Sequence, residues 1–221
     1  MADRRSAPRV PPDPGARGLR LLGVAHGDRR RGALWDPPAA ARYEAQVVRW
    51  RDLAALVYPA LLRVPELTQD DVLAHHRRLD AMLQRETVLP VPCGVGFETE
   101  RDVVRFLREQ HDGLVEALAY VEGRWEFRLH VVPAAPELPE ALAADLATHV
   151  YAELRKIAHA ALPFPRAESG AFTSAFLVDR AATRPFLDRV DEQGRANPDL
   201  SLDATGPWPP YDFVRVTPVE E

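Results

Sequence analysis

The chain has 221 residues, of which 46% are hydrophobic, and a formal net charge of −5 from 28 basic and 33 acidic residues. This length suits one large domain or two small ones. An acidic balance without a long basic block gives no support for a nucleic-acid partner. No apolar run approaches the ~20 residues that span a bilayer, and no secretion signal follows the N-terminal arginines, so we expect a cytoplasmic protein without a lipid-membrane partner.

The first part of the chain predicts a small mixed domain. Residues 1–17 hold prolines and arginines with little to bury, which indicates a mobile tail. A short apolar strand then precedes a Gly- and Pro-containing loop, two β-leaning segments and an amphipathic helix. The strand is expected at 19–25 and the loop at 26–38. The two β-leaning segments are expected at 46–50 and 53–58, and the helix at 68–86. The two β-leaning segments flank Arg51-Asp52 and fit either a tight hairpin or one bent strand.

The middle of the chain, residues 88–132, predicts a strand, a helix and a second strand. Gly94 and Gly96 lie within the first strand, so we expect it to bend. Apolar residues at three- and four-residue steps predict one amphipathic helix over 99–122, with Thr99 as its N-cap. Residues 125–132 alternate apolar and polar side chains, which is typical of a strand with one buried face.

The second half repeats this pattern of strands and helices. A helix is predicted over 138–161, a strand over 171–178 and a shorter helix over 181–193, before a final β-leaning region. The chain is therefore assigned to the α+β class, with two small ferredoxin-like domains whose antiparallel sheets are each covered by helices. We expect a tail at 1–17, an N-terminal domain at 18–122 and a C-terminal domain at 123–221. The long central helix 99–122 would join the two domains.

Residues that carry catalytic or metal chemistry are few. Asp71, His75 and His76 are the best-spaced group, since an i, i+4 pair on a helix can share an ion, but no third ligand outside this helix is marked out. Cys93, the single cysteine, excludes an internal disulfide and has the apolar surroundings of a structural thiol in a predicted strand. The sequence predicts no cofactor and no catalytic residue.

The segment Gly206-Pro207-Trp208-Pro209-Pro210-Tyr211, together with Phe213, is the candidate protein-interaction site. Its prolines fix φ and favour an extended chain, so the segment is stiff before it binds anything. Trp208, Tyr211 and Phe213 add large aromatic surfaces of the kind enriched at interaction hot spots. The alternative is that these rings close the core of the second domain.

Three stretches carry a resemblance to a known family. Leu89-Pro90 up to Phe97, Glu122 to Glu126, and Gly206 to Val214 are similar, in this order, to motifs of the gas vesicle synthesis family, F/L type. Pro92 and Cys93 stand where the family usually has a basic and an aromatic residue. The resemblance implies a non-enzymatic accessory protein of gas vesicle assembly, located in the cytoplasm with the vesicle. Its implied partners are the major shell protein and other gas vesicle accessory proteins.

An aggregation argument agrees with this role. Shell subunits that are apolar on one side would associate prematurely, and a partner that covers that side would prevent it. The alternative function is a small metal-dependent or ligand-binding enzyme that uses the Asp71, His75 and His76 region. A third hypothesis is a ferredoxin-like regulatory module that binds a small molecule between its sheets.

Overall fold

A computed structural model describes residues 17–27, 44–62, 67–83, 86–165, 171–214 and 216. The predicted tail falls on residues outside these ranges, apart from Arg17, which is the first residue of a strand. Most of the loop predicted over 26–38 also lies outside the described part.

The described part forms strands and helices in the following order. The elements are β1 (Arg17–His26), β2 (Gln46–Trp50), β3 (Leu53–Leu61), α1 (Gln69–Leu83), β4 (Val88–Pro90), β5 (Gly96–Phe97), α2 (Glu100–Glu109), α3 (His111–Val121), β6 (Arg124–Pro133), α4 (Glu140–Arg155), β7 (Ala160–Pro163), β8 (Phe172–Asp179), α5 (Thr183–Ala196) and β9 (Leu200–Trp208). A short 3₁₀ turn at Arg180–Ala182 precedes α5.

The first sheet is antiparallel and has β1 at its centre. Its order is β2-β3-β1-β4, and β5 pairs with β1 beside β4. The strands β2 and β3 form a hairpin across Arg51-Asp52, with Arg51 at a φ of 52°. The strand predicted over 88–97 is two short strands, because the chain turns at Gly94, whose φ of 119° suits glycine.

Helices cover both faces of this sheet, so β1 is buried along most of its length. Leu79, Met82 and Leu83 of α1 pack on one face, against Leu22 and Leu56. The helices α2 and α3 cover the opposite face through apolar residues at helical spacing. Those residues are Val103, Phe106, Leu107, Leu114, Leu118 and Val121.

The prediction of one long central helix over 99–122 is wrong. The structure has two helices that meet at Gln110, whose φ of −101° and ψ of 8° end α2 and begin α3. His111 accounts for the break, since its Nε2 lies 2.7 Å from Asp52 Oδ1 in the β2–β3 turn and its Nδ1 lies 2.9 Å from Asp112 Oδ1. Both helices pack on the first sheet, so this region is part of that sheet's cover.

The second sheet is also antiparallel, with the order β7-β8-β6-β9. The helices α4 and α5 cover one of its faces, where Phe127, Phe176 and Phe186 form the centre of the core. The helix predicted over 138–161 ends at Arg155, because Ala160–Pro163 pair with β8 as β7. Alanine and leucine there extend the helical pattern in the sequence, and strand pairing overrides it.

In both sheets the first strand lies between the third and the fourth. The ferredoxin-like description of the two halves stays a prediction, since residues 28–43, between β1 and β2, lie outside the described part. The division at 122/123 also stays a prediction. Among the described residues, no helix has the length and apolar character needed to cross a membrane.

Candidate functional site

The closing segment, residues 206–214, runs from the second sheet to the first. Its first residues complete β9, where Trp208 pairs with Glu126 of β6. Pro209 and Pro210 are buried. Val214, and Val216 just beyond it, pack in the core that the first sheet shares with α2 and α3. The segment therefore connects the two sheets, although all of it was predicted within the C-terminal domain.

Gly206 permits the entry into this segment. Its φ is 135°, and a Cβ at this position would lie 2.9 Å from both the Glu126 carbonyl oxygen and the Phe127 ring. A side chain would be strained there and would collide with β6. The Gly206–Pro207 peptide bond is cis, and both residues are exposed.

Trp208 and Tyr211 both contact His76 of α1. The His76 ring centroid lies 5.5 Å from that of Trp208 and 6.3 Å from that of Tyr211, on which it stacks at 21°. The Trp208 Nε1 donates to Thr205 Oγ1 at 3.1 Å. These contacts join β9 and the closing segment to α1, across the boundary between the sheets.

The aromatic residues of the segment do not close the second core. Tyr211 packs against the core between the first sheet and α1, and its burial raises the pKa of its hydroxyl. Trp208 and Phe213 are half-buried. Both rings beside His76, Trp208 and Tyr211, line the surface cleft described below.

A charged cluster fixes the closing segment to β6. Arg128 Nε donates to Glu126 Oε1 at 3.1 Å and to Asp212 Oδ2 at 3.0 Å, and its Nη2 lies 2.9 Å from the same Asp212 oxygen. The Asp212 backbone N–H donates to Glu126 Oε2 at 3.0 Å. Burial of the fully covered Glu126, together with its hydrogen bond to the Asp212 carboxylate, raises the pKa of the Glu126 carboxyl to about 8.

Glu126 and Arg128 line a cleft of about 280 Å³ between α1 and the second sheet. We call it the junction cleft. Its lining consists of His76, Glu126, Arg128, His130, Thr205, Trp208 and Tyr211. Arg128, with 41% of its side chain exposed, is the charged group that reaches its surface most, whereas the side chain of Glu126 is 1% exposed beneath it.

A second set of contacts, made by Arg180, joins the second sheet to α1 of the first. Arg180 Nη2 donates to the Leu83 carbonyl oxygen at 3.0 Å, and its guanidinium lies 3.9 Å from the centroid of the Trp125 ring. Burial lowers the pKa of Arg180. Trp125 packs with the core of the second sheet and with the core under α1.

The Asp71, His75 and His76 side chains have three different partners. Asp71 bonds to Thr68 in a reciprocal cap at the start of α1, with Thr68 Oγ1 at 2.7 Å. His75 is buried, and its Nε2 lies 2.8 Å from the Val91 carbonyl oxygen. His76 lies 3.4 Å from Asp80. Among the described residues, no group of three His, Cys, Asp or Glu side chains could hold a metal ion.

The sequence pattern misplaced two further features. Helical periodicity places Val72, Leu73 and His76 on one face with Leu79 and Leu83, but Val72 and Leu73 are 45% and 40% exposed, and His75 is buried instead. Cys93 lies half-exposed in the turn between β4 and β5, with its Sγ 3.9 Å from the Asp71 carbonyl oxygen. It does not fill a strand.

Sequence reasoning missed the Glu126, Arg128 and Asp212 cluster. The alternation of β6 assigned Glu126 and Arg128 to a solvent-facing side, and nothing in that pattern shows that Asp212 returns to cover them. One signal was available, because Glu126 belongs to the second family-like motif and Asp212 to the third. The structure brings these two motifs into contact.

Comparison with known proteins gives consistent results. The family described as "Gas vesicle synthesis protein GvpL/GvpF" matches residues 23–149 and 137–215. Gas vesicle protein F2 of Halobacterium salinarum is 30% identical over 186 residues, which cover 80% of this chain and 83% of that protein. Gas vesicle protein L of a Streptomyces species is 26% identical over 187 residues, covering 66% of this chain and 70% of that protein.

A solved structure shares the fold. The crystal structure of the gas vesicle protein GvpF from an Anabaena species superposes with a TM-score of 0.72 at 16% identity, over 93% of this chain and 99% of that one. The family match covers both sheets and the closing segment, and the described residues match the fold of a solved member. This chain belongs to the GvpL/GvpF family of gas vesicle synthesis proteins.

Proposed function

We propose that this protein is a non-enzymatic accessory factor that binds the hydrophobic shell protein during nucleation or growth of the gas vesicle. Membership of the family supports a role in gas vesicle assembly. The proposed place of action is the cytoplasm, in association with the vesicle and its other accessory proteins. Neither a nucleic acid nor a lipid membrane is part of the proposal.

The observation that carries the proposed contact is the half-exposed Trp208 ring at the junction of the two sheets. It is held in place by the stiff closing segment, by Thr205 and by His76, so little side-chain entropy is lost when a partner covers it. Val72 and Leu73 extend the exposed apolar surface on α1 within one helical turn of His76. An apolar shell subunit is the kind of partner that such a surface suits.

Co-expression with the major shell protein, followed by size-exclusion chromatography, tests this proposal. The expected result is co-elution that Trp208→Ala reduces at least several-fold, since aromatic anchors carry much of an interface's energy. Tyr120→Ala is a matched control, because Tyr120 is an aromatic residue on α3 that is 39% exposed and whose ring contacts His159, which precedes β7. Tyr211→Phe, which keeps the buried ring, should retain binding. Equal loss with Trp208→Ala and Tyr120→Ala would contradict the assigned contact.

The enzyme alternative gains no support from the structure. Asp71 is engaged in a helix cap, His75 is buried against a backbone carbonyl, and His76 contacts Asp80 and two aromatic rings. No observation on the described residues favours a reaction.

A further inference from the structure

The guanidinium of Arg128 is held along one edge, and the Phe164 ring lies over it with its centroid 5.9 Å from the Arg128 Cζ. Its Nε and Nη2 atoms bond to Glu126 and Asp212, whereas none of the described residues accepts a hydrogen bond from its Nη1. A buried carboxyl group beneath a half-exposed arginine fixes the plane of the guanidinium. The planar fork of arginine matches a carboxylate, so an arginine with one fixed edge presents the other edge ready for an anionic group.

The charges around this cluster leave Arg128 able to attract an anion. The raised pKa of Glu126 keeps that carboxyl largely neutral near pH 7, so Arg128 and Asp212 form an ion pair and the cluster carries no net negative charge that would repel an anion. The other titratable groups nearby are His76 and His130 in the cleft, Asp80 beside His76, and Asp203, which pairs with His130 on β9. Arg128 is the only arginine or lysine among the described residues that line the cleft, and 41% of its side chain is exposed.

The walls supply both a polar and an apolar surface. Thr205 Oγ1 accepts from Trp208 and has its own hydrogen left to donate, and exposed His130 borders the opening. The rings of Trp208 and Tyr211 form the apolar side. The volume of about 280 Å³ is just below the ~300–1,000 Å³ of small-molecule pockets, so it suits one side chain or chain terminus.

We propose that the junction cleft is a recognition site for a carboxylate that carries a short apolar stem, bound by the outer edge of Arg128 with Thr205 and covered by Trp208. The carboxylate can belong to a free organic acid, to an acidic side chain or to the carboxyl terminus of a polypeptide. This site goes beyond the shell-protein contact and does not depend on it.

Titration of the full chain with 3-phenylpropionate, followed by heteronuclear NMR, tests the site. The expected result is saturable binding with a millimolar Kd, because a ligand of this size gains only a few kcal/mol. The shifts should centre on Trp208 and Thr205. The neutral amide, 3-phenylpropanamide, should bind at least ten-fold more weakly. Equal binding of acid and amide, or no binding of the acid, would overturn the proposal.

Variants separate recognition from folding. Arg128→Gln should abolish carboxylate binding and Arg128→Lys should weaken it about ten-fold, since lysine keeps the charge and loses the fork. Thr205→Val, which keeps the shape of the wall, should weaken it a few-fold and remains informative if the Arg128 variants unfold. Arg108→Gln is the matched control, with 60% of the Arg108 side chain exposed on α2. Wild-type affinity in Arg128→Gln would refute the assignment.

Two tetrapeptides with acetylated amino termini distinguish the sources of the carboxylate. One has an internal glutamate and an amidated end, and the other has no acidic side chain and a free carboxyl terminus after phenylalanine. Tighter binding of one than of 3-phenylpropionate identifies a polypeptide ligand and its kind. Tighter binding of the free acid identifies a small organic acid. These titrations contain no shell protein, so their failure is distinct from failure of the shell-protein contact.

Discussion

At the scale of single residues, Glu126 has an environment that departs from what its type suggests. It lies on a strand face that the sequence pattern assigns to solvent, yet it is fully buried beneath Arg128 and Asp212. Burial disfavours the charged form of a carboxyl group and so raises its pKa. The Arg128 guanidinium and the Asp212 N–H satisfy its oxygens, so the cluster attaches the closing segment to β6.

Glu126 should make the protein less stable as pH rises. Its folded pKa of about 8 lies above the unfolded value, so between about pH 4.5 and 8 the folded state keeps a proton that the unfolded state has lost. The free energy of unfolding should therefore fall with pH by up to about 1.4 kcal/mol per unit in this window. Denaturant unfolding at pH 5.5 and 8 measures this slope. Glu126→Gln should flatten it, and an unchanged slope in that variant would contradict the assignment.

A substitution at Gly206 tests whether the closing segment needs a glycine where it leaves β9. Gly206→Ala should destabilise the protein by about 1–3 kcal/mol, because alanine is strained at a φ of 135° and its Cβ meets β6. Gly194→Ala is the control, since Gly194 lies in α5 with no atom within 4 Å of a Cβ, where alanine should be neutral or stabilising by about 0.5–1 kcal/mol. Denaturant midpoints measure both. Equal effects of the two changes would refute the steric argument.

At the scale of the elements, the joint between α2 and α3 shows how a tertiary contact divides a continuous helical pattern. The apolar spacing continues through Gln110, and both helices bury it on the same sheet. His111 bonds to Asp52 in the β2–β3 turn and contacts Trp50 with its ring centroid at 5.2 Å. The position of α3 is thus tied to the hairpin.

The contribution of His111 should depend on pH. Its hydrogen bonds to Asp52 and Asp112 raise the pKa of His111, so the stabilisation is fully present below its unfolded pKa and is lost as pH rises through the folded value. His111→Ala should therefore lower the thermal midpoint more at pH 5.5 than at pH 8.5. His149→Ala, at an exposed position on α4, is the control. A loss that is the same at both pH values would mean that the ring contact with Trp50 acts alone.

Local patterns predicted much of this architecture. The N-cap expected at Thr99 is present as a reciprocal cap with Asp102 Oδ2, 2.7 Å from Thr99 Oγ1. The alternation over 125–132 corresponds to β6, and the turn at Arg51-Asp52 to a hairpin. The α+β class and two antiparallel sheets are confirmed, and the individual strands and helices that define them were predictable from short-range periodicity.

Long-range contacts explain what the sequence did not predict. The end of α4 depends on pairing of β7 with β8, which competes with a helix-favouring stretch. The burial of Glu126 depends on Asp212, 86 positions later, and the position of Tyr211 depends on α1. The stiff aromatic segment was identified from its composition, but the junction cleft beside it required the folded chain.

At the scale of the whole molecule, the closing segment joins two helix-covered sheets through contacts on both sides. It pairs with β6, bonds to Arg128, stacks on His76 and ends in the core of the first sheet. The exposed surface around Trp208 therefore forms only when both sheets and α1 are folded. A partner that binds there contacts α1 and the second sheet together.

A photo-crosslinking amino acid in place of Trp208 tests the central claim of a shell-protein contact most directly. After co-expression with the major shell protein and irradiation, mass spectrometry of the crosslinked band should identify shell-protein peptides joined at position 208. The same amino acid in place of Tyr120 should give no such product. Shell-protein crosslinks of equal yield from both positions, or none from position 208 while the two proteins still co-elute, would contradict the account.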